Sequence, residues 1–509
     1  MNEKTPRDLH EGGPAGLTGR TLRGMWWTFS GTGIRVCLHL LVLSVLARLL
    51  SPDEFGVVGA VLIVVAFSNI FAEVGVAPSL IQRPEIQERH LRTALAITVL
   101  LGSSFTALLL LVAPYIAAFF RIDGLAPLLR GISPIFLINS ISVVPEALLQ
   151  RKLKFGRLTA ARVLSFVLGY GAFAVALALM GLGVWALLAG HMAEAILKVI
   201  ILMALQPYPK RPALEGTAFR ELVYFAGGFT VARIAGYVAE QGDNLVVGRW
   251  LGAEALGLYG RAYQLMAMPA SYFDQAVSKV LFPSMALIQE EQSRLSSAFR
   301  RSLALTALIA LPMSAIAVVL GPDIVFVLLG SQWGGVVVPF QVLAFGMFFR
   351  TSSKVSNSLG LAKGAVSQLA GLQVVYAALV VCGAWLAHPY GVIGVALAIF
   401  GAIICQFFLF TRLSLKITAL RWQDVIRQLI PAARLSMGVF VVAWLAARLT
   451  RQLDMPSAAT LITTVSLVTG CVILLVKIAP VAAIGQDGDW LLRTLRTSVR
   501  NRLNISAAP

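Results

Sequence analysis

Apolar and polar positions alternate along this chain on a scale of about twenty residues. Runs rich in Leu, Val, Ile, Ala and Phe recur from Met25 to Val476, parted by short polar turns. A helix needs about that length to cross the ~30 Å hydrocarbon core of a bilayer. The runs predict spans at residues 25–50, 55–81, 92–119, 125–149, 158–180 and 182–205. A proline-rich basic stretch, Pro207 to Pro212, ends the sixth. Six more follow at 221–249, 254–285, 302–320, 323–349, 365–387 and 391–411, and two last ones at 430–450 and 457–476.

The pattern is written twice. Shifted by 201 positions, Ala47 to Gly59 falls on Gly248 to Gly260: Arg48 meets Arg249, Leu50 meets Leu251, Asp53 meets Glu254, Gly56 meets Gly257 and Gly59 meets Gly260. Further on, Phe71 meets Tyr272 and Glu73 meets Asp274. A second offset of 211 brings Val144, Leu148, Lys152 and Val163 onto Val355, Leu359, Lys363 and Val374, and Gly183, Val184 and Gly190 onto Gly394, Val395 and Gly401. The change of offset fits an insertion near residues 320–345. The shared order and spacing predict a duplicated domain.

The expected fold is therefore an all-α polytopic membrane protein of about fourteen transmembrane helices. Two parallel six-helix bundles would surround a central cleft, with two extra C-terminal helices. An even number of helices per repeat relates the halves by an axis along the membrane normal. The expected divisions are a cytoplasmic tail over 1–24, bundles over 25–205 and 221–411, and a basic linker over 206–220. A loop with the two added spans over 412–478 and a tail over 479–509 complete the chain.

Composition narrows the class. The chain is 58% hydrophobic and 13% charged, which excludes an ordinary soluble protein. The first 24 residues are polar and basic, without the apolar core of a secretory signal, so the first span is expected to stay. Cys37, Cys382, Cys405 and Cys471 are far apart in apolar runs and imply packing, with no metal or cofactor. The net charge of +18 is distributed unevenly. On the predicted topology, only Arg121, Arg130, Arg448 and Arg451 lie in segments on the far side from the N-terminus. That bias places both termini in the cytoplasm and argues against nucleic acid as a partner. In the tail, Trp490, Leu491, Leu495, Val499 and Leu503 share one helical face beside Arg493, Arg496 and Arg500, as in a helix lying on an anionic leaflet.

Ionisable groups inside spans cost a few kcal/mol each, about 2.5–3.5 on insertion scales, so they face a polar cavity or a partner. Thr28, Thr32, Arg35 and His39 fall on one face of the first helix, and Arg233, Tyr237, Glu240 and Asn244 on one face of the seventh. Matching polar stripes in the two halves imply a watery cleft. Arg35, His39, Arg233, Tyr237, Glu240, Asn244 and Arg249 are the candidate substrate-binding residues. A guanidinium ~4 Å from a phosphate oxygen gains ~4 kcal/mol at an effective dielectric near 20, so such a cleft suits an anionic lipid head. Glu73, Asp243 and Asp274 are candidates for proton or sodium coupling. Arg48 and Arg249 could instead snorkel to the headgroups, and Glu194 and Lys198, four apart, are expected to pair with each other.

The stretch from Asp243 through Gly248 to Tyr259, its echo at Leu46 to Gly59, and the six-plus-six-plus-two layout resemble the Wzx-type and colanic-acid-exporter-like polysaccharide flippases. These belong to the multidrug/oligosaccharidyl-lipid/polysaccharide exporter superfamily. The likeness covers about residues 20–480. It implies a transporter that flips undecaprenyl-diphosphate-linked oligosaccharides across the inner membrane by alternating access, serving exopolysaccharide, capsule or lipopolysaccharide synthesis. It also implies a diphosphate held near Arg35 and Arg233, with a polymerase or glycosyltransferase as a possible partner. The alternatives are a cation-coupled drug exporter of the same superfamily, or a polytopic glycosyltransferase or polymerase. The enzyme reading could start from Asp53 and Glu54, but that outer loop is too short to hold an acceptor, and the acidic pair fits a helix N-terminus.

Overall fold

The computed structural model of the 509-residue chain describes residues 33–72, 76–83, 85–209, 211–216, 230–481, 484–485 and 487–489, with side chains except at 69–72, 230–233 and 270–280. The expected N-terminal tail, Glu73, and the amphipathic tail helix from Trp490 onward lie outside these residues. No strand occurs among the described residues. The chain divides into two compact units, Met1–Ile234 and Ala235–Pro509.

Unit 1 contains α1 (33–49), α2 (Pro52–Ala72), α3 (Val76–Gln82), α4 (Glu88–Phe120), α5 (Leu125–Ile132) and α6 (Ile135–Arg151). It continues with α7 (Phe155–Ser165), a π-helical segment (Phe166–Phe173), α8 (Ala174–Leu179) and α9 (Val184–Leu205). The acidic pair at the start of α2 has a structural use. The Ser51 backbone N–H donates to Glu54 Oε2 at 2.7 Å, and the Glu54 N–H donates to Ser51 Oγ at 3.3 Å, a reciprocal cap of the first turn. At the other end Arg151 reaches back from α6 to the carbonyls that finish α3, donating to Leu80 O at 3.2 Å and Ile81 O at 3.3 Å. A cation there satisfies carbonyls that have no intrahelical partner. The linker is anchored to the same end, where the Tyr208 hydroxyl donates to Ile141 O at 3.1 Å and the ring joins a core of Val76, Leu80, Leu95 and Val144.

Unit 2 follows from α10 (Thr230–Trp250), whose first residues belong to unit 1, through α11 (Gly252–Leu287), α12 (Gln292–Val319) and α13 (Gly321–Leu328). It continues with α14 (Val337–Phe345), α15 (Met347–Ala362), α16 (Val366–Ala387), α17 (Gly391–Thr418), α18 (Trp422–Gln452) and α19 (Ser457–Ile478). Both units contain an eight-residue helix after a long one, α5 and α13. In unit 2 a 3₁₀ turn, Ser331–Val336, and a 43° bend between residues 331–345 and 347–362 fill the region where the offset predicts an insertion. The glycine that turns the chain into α17 is Gly391, with φ of 69°, and not Gly394, the expected counterpart of Gly183 with φ of 54°. Only glycine adopts such angles without strain, so the two turns differ in register by three residues.

Among the described residues eight stretches are long and apolar enough to span a membrane, and the bent pair would make a ninth. One stretch, residues 366–418, holds α16 and α17 packed side by side across a turn at His388–Tyr390. At 1.5 Å per residue its 53 residues would run far beyond one bilayer, and each of the two helices is by itself long enough for one crossing. Outside that count stand α1, α2, α10 and α11. The last two carry Glu240, Asp243, Arg249, Glu254 and Arg261, charges that a span tolerates only when protein or water receives them. The two added helices dock on unit 2. Val439, Ala443 and Ala447 of α18 and Val468 of α19 share a core with Ala315 and Val319 of α12, and Arg451 meets Asp323 at 2.5 Å.

Candidate functional site

The polar face of α15 sets the site. Arg350, Ser353, Lys354 and Asn357 recur at spacings of three, one and three, so one side of an otherwise packed helix carries them all. They line a cleft within unit 2. Its other walls are Ala239 and Glu240 of α10, Gln373 and Tyr376 of α16, and Gln406 and Phe410 of α17. About 90 Å³ of it is open, against the ~10–15 Å³ that one water needs, so it has room for several. Two cations and one acid give the lining a net positive charge.

Behind the lining runs a set of hydrogen-bonded groups. The Arg350 guanidinium donates to the Tyr263 hydroxyl and stands 5.1 Å from the centre of that ring. Tyr263 packs 6.3 Å from Tyr259, whose hydroxyl donates to Asp243 Oδ2 at 2.6 Å. Asp243 Oδ1 accepts the Asn244 backbone N–H at 2.8 Å. Asp243 is 1% exposed and Tyr259 fully buried, so α11 supplies the partner that a carboxyl buried in α10 requires. Arg350 is thus held by its far side while the cleft remains open on the near side.

The predicted residues are placed as follows. Glu240 is exposed and lines the cleft, and Tyr237 is half-buried on the same helix. Asn244, a turn further on, is buried, its side-chain amide donating to Gln241 Oε1 at 3.1 Å. Arg249, in the last turn of α10, lies 5.8 Å from the Trp250 ring. Arg233 and Asp274 lie on α10 and α11, but their side chains, like all of Glu73, are outside the described residues. In unit 1, Arg35 meets Glu194 of α9 at 3.5 Å and stands 5.8 Å from the Phe166 ring. The expected partner Lys198, on the same helix, also acts on the Glu194 carboxylate, and the Arg35 contact adds a tie from α9 to α1 that the local spacing did not predict. His39 stands 5.6 Å from the same Phe166, which stacks on Tyr170 at 5.7 Å, and Tyr170 meets His191 at 4.5 Å. Phe166 and Tyr170 sit on the π-helical segment, a departure from α geometry that recurs at functional sites.

Arg350 and Lys354 were missed in sequence. The predicted span 323–349 stops one residue short, so both cations read as loop charges. The signal was there in the polar stripe from Arg350 to Asn357, which has helical spacing and no apolar interruption on that face.

The family described as "Polysaccharide biosynthesis protein" matches residues 45–338, more than half of the chain. The lipopolysaccharide biosynthesis protein WzxC of Escherichia coli (strain K12) is 26% identical over 352 residues, covering 69% of this chain and 71% of that protein. The succinoglycan biosynthesis transport protein ExoT of Rhizobium meliloti (strain 1021) is 29% identical over 349 residues, covering 67% and 69%. Among solved structures, the lipid II flippase MurJ in its inward closed conformation shares the fold, with a TM-score of 0.68 at 13% identity over 89% of this chain and 100% of that one. The match along residues 45–338, more than half of the sequence, makes this chain a member of the polysaccharide biosynthesis protein family.

Proposed function

We propose that this protein is a transporter that flips undecaprenyl-diphosphate-linked oligosaccharide units from the inner to the outer leaflet of the bacterial inner membrane. It would serve the synthesis of an exopolysaccharide, capsule or lipopolysaccharide. The fourteen-helix, two-bundle arrangement with a cationic cleft, working by alternating access, is the framework of this reading, and both termini lie in the cytoplasm. The observation that carries it is the cleft in unit 2, where Arg350 and Lys354 face open space. A planar guanidinium braced from behind by Tyr263 is preorganised for bidentate contact with a phosphate. The names of the relatives, a lipopolysaccharide biosynthesis protein and a succinoglycan transport protein, point to the same cargo class. In unit 2, Tyr237 and Glu240 are assigned to the substrate-facing side with Arg350 and Lys354; in unit 1, Arg35, His39 and Arg233 are assigned to cargo contact on their own stripes, and Glu73, Asp243 and Asp274 couple the cycle to protons or sodium. A polymerase or glycosyltransferase would take the product.

One observation favours a second reading, a cation-coupled drug exporter. Glu240 opens onto the cleft and Asp243 is buried nearby, as a site for a cationic cargo would need. The net positive lining weighs against it, since Arg350 and Lys354 repel such a cargo.

The deciding measurement is lipid-linked sugar in cells lacking the protein, resolved by leaflet. Diphosphate-linked units accumulating on the cytoplasmic side while surface glycan falls is the expected result. Units that reach the outer leaflet but stay unpolymerised would move the protein to a step after flipping. An unchanged glycan with altered drug resistance would favour the second reading. Arg35→Ala and Arg233→Ala are each expected to impair export strongly while the protein stays in the membrane, and normal export in both would remove them from the site.

A further inference from the structure

A second concave surface in unit 2 shares no residue with the cleft. On α17, Leu409, Arg412, Leu413 and Lys416 recur at spacings of three, one and three and so share a face. With Gln368 and Leu372 from the start of α16 they wall a groove of about 520 Å³. Arg412 and Lys416 are exposed, and among the described residues neither is paired with an acid. The lining has two cations, no anion and an apolar floor.

Depth gives the groove its meaning. α17 ends at Thr418, so Lys416 sits ~3 Å and Arg412 ~9 Å from that end along the helix. Both cations fall just beyond the predicted span of 391–411, at the end of the helices that the charge bias assigns to the cytoplasm. Snorkelling explains one such cation. It does not explain why both converge with Leu372, Leu409 and Leu413 on one trough.

We propose that this groove is a seat for an anionic phospholipid of the inner leaflet. Its phosphate lies between Arg412 and Lys416, with Gln368 as a further polar contact and an acyl chain along the leucines. Charge complementarity selects this occupant. A zwitterionic headgroup carries its own cation toward the pair, and the chain's own basic tail, with Arg493, Arg496 and Arg500, has the sign that the groove repels. The proposal does not depend on the identity of the transported cargo.

The test is native mass spectrometry of the full-length protein in detergent, titrated separately with phosphatidylglycerol and phosphatidylcholine. The wild type is expected to retain phosphatidylglycerol preferentially. Arg412→Gln with Lys416→Gln should weaken that binding about 30-fold, roughly 5-fold per cation. Leu413→Trp, which fills the trough and keeps both cations, should weaken it as well, while Arg427→Gln, an exposed cation outside the groove, should not. Unchanged phosphatidylglycerol preference in the double variant overturns the proposal. So does a double variant that keeps phosphatidylglycerol but loses a short-chain polyprenyl diphosphate, because the groove would then belong to the cargo.

Discussion

Arg350 is the residue on which the site turns, and its side chain does two things at once. Its far edge is bound to Tyr263, and its near edge faces the cleft. Arg350→Ala should therefore lower export about 10- to 100-fold, as expected for one charged hydrogen-bonding group worth ~1.5–3 kcal/mol, with the protein still present in the membrane. Arg350→Lys keeps the charge but not the fork and should recover only part of the rate. Export at wild-type level in the alanine variant would place the anion elsewhere. Tyr259→Phe tests the support behind it. It leaves Asp243 Oδ2 without its 2.6 Å donor in a buried site, a loss of ~1–3 kcal/mol that thermal unfolding in detergent would register. At this scale the sequence told half the story. Of the stripe from Arg233 to Asn244, Glu240 lines the cleft of unit 2, while Arg350 stood just past a predicted span and was read as a loop residue. Arg35 was legible as a charge out of place. Its partner Glu194, 159 residues away, was not.

Among the elements, the crossing of the π-helical segment with α9 is the tightest. A Cβ on Gly169 would fall 2.4 Å from the Glu194 Cα and backbone N, atoms that cannot give way without moving the helix that holds Arg35's partner. Gly169→Ala should cost ~1–3 kcal/mol or more and disturb the Arg35–Glu194 pair, which unfolding and export assays would both detect. An alanine tolerated with full stability would mean that the two helices are free to separate there. The added helices offer a second test. Asp323 is 4% exposed and holds Arg451 of α18, so Asp323→Asn should loosen the seating of α18 by ~1–3 kcal/mol, seen as earlier protease access near residue 453. The turn at Gly183 was readable, but hydropathy did not resolve the predicted spans 125–149 and 323–349 into the shorter helices that the structure has there. The break at residue 346 was not readable either, because apolar residues flank it from Val342 to Phe349, and the turn at His388–Tyr390 was readable but its glycine stands three residues before the Gly394 that the offset picks out.

For the whole molecule the testable quantity is topology. In a variant stripped of native cysteines, a cysteine at Arg211 should label only from the cytoplasm and one at Pro389 only from outside. Labelling of both from one side would contradict the odd number of crossings that the predicted spans place between them. What the sequence determined by itself is the class. Twenty-residue apolar runs, one-sided Lys and Arg, and a pattern written twice are local or additive signals, and each survives without any knowledge of which helix touches which. The family followed from the same signals and from the turn around Gly248 to Tyr259. What only the tertiary structure decided is which charges meet. Hydropathy says that a helix is buried in a membrane but leaves its rotation about its own axis open. That rotation, set by packing at contacts such as Gly169 against Glu194, brought Arg350 to a tyrosine 87 residues earlier and Arg35 to an acid on another helix.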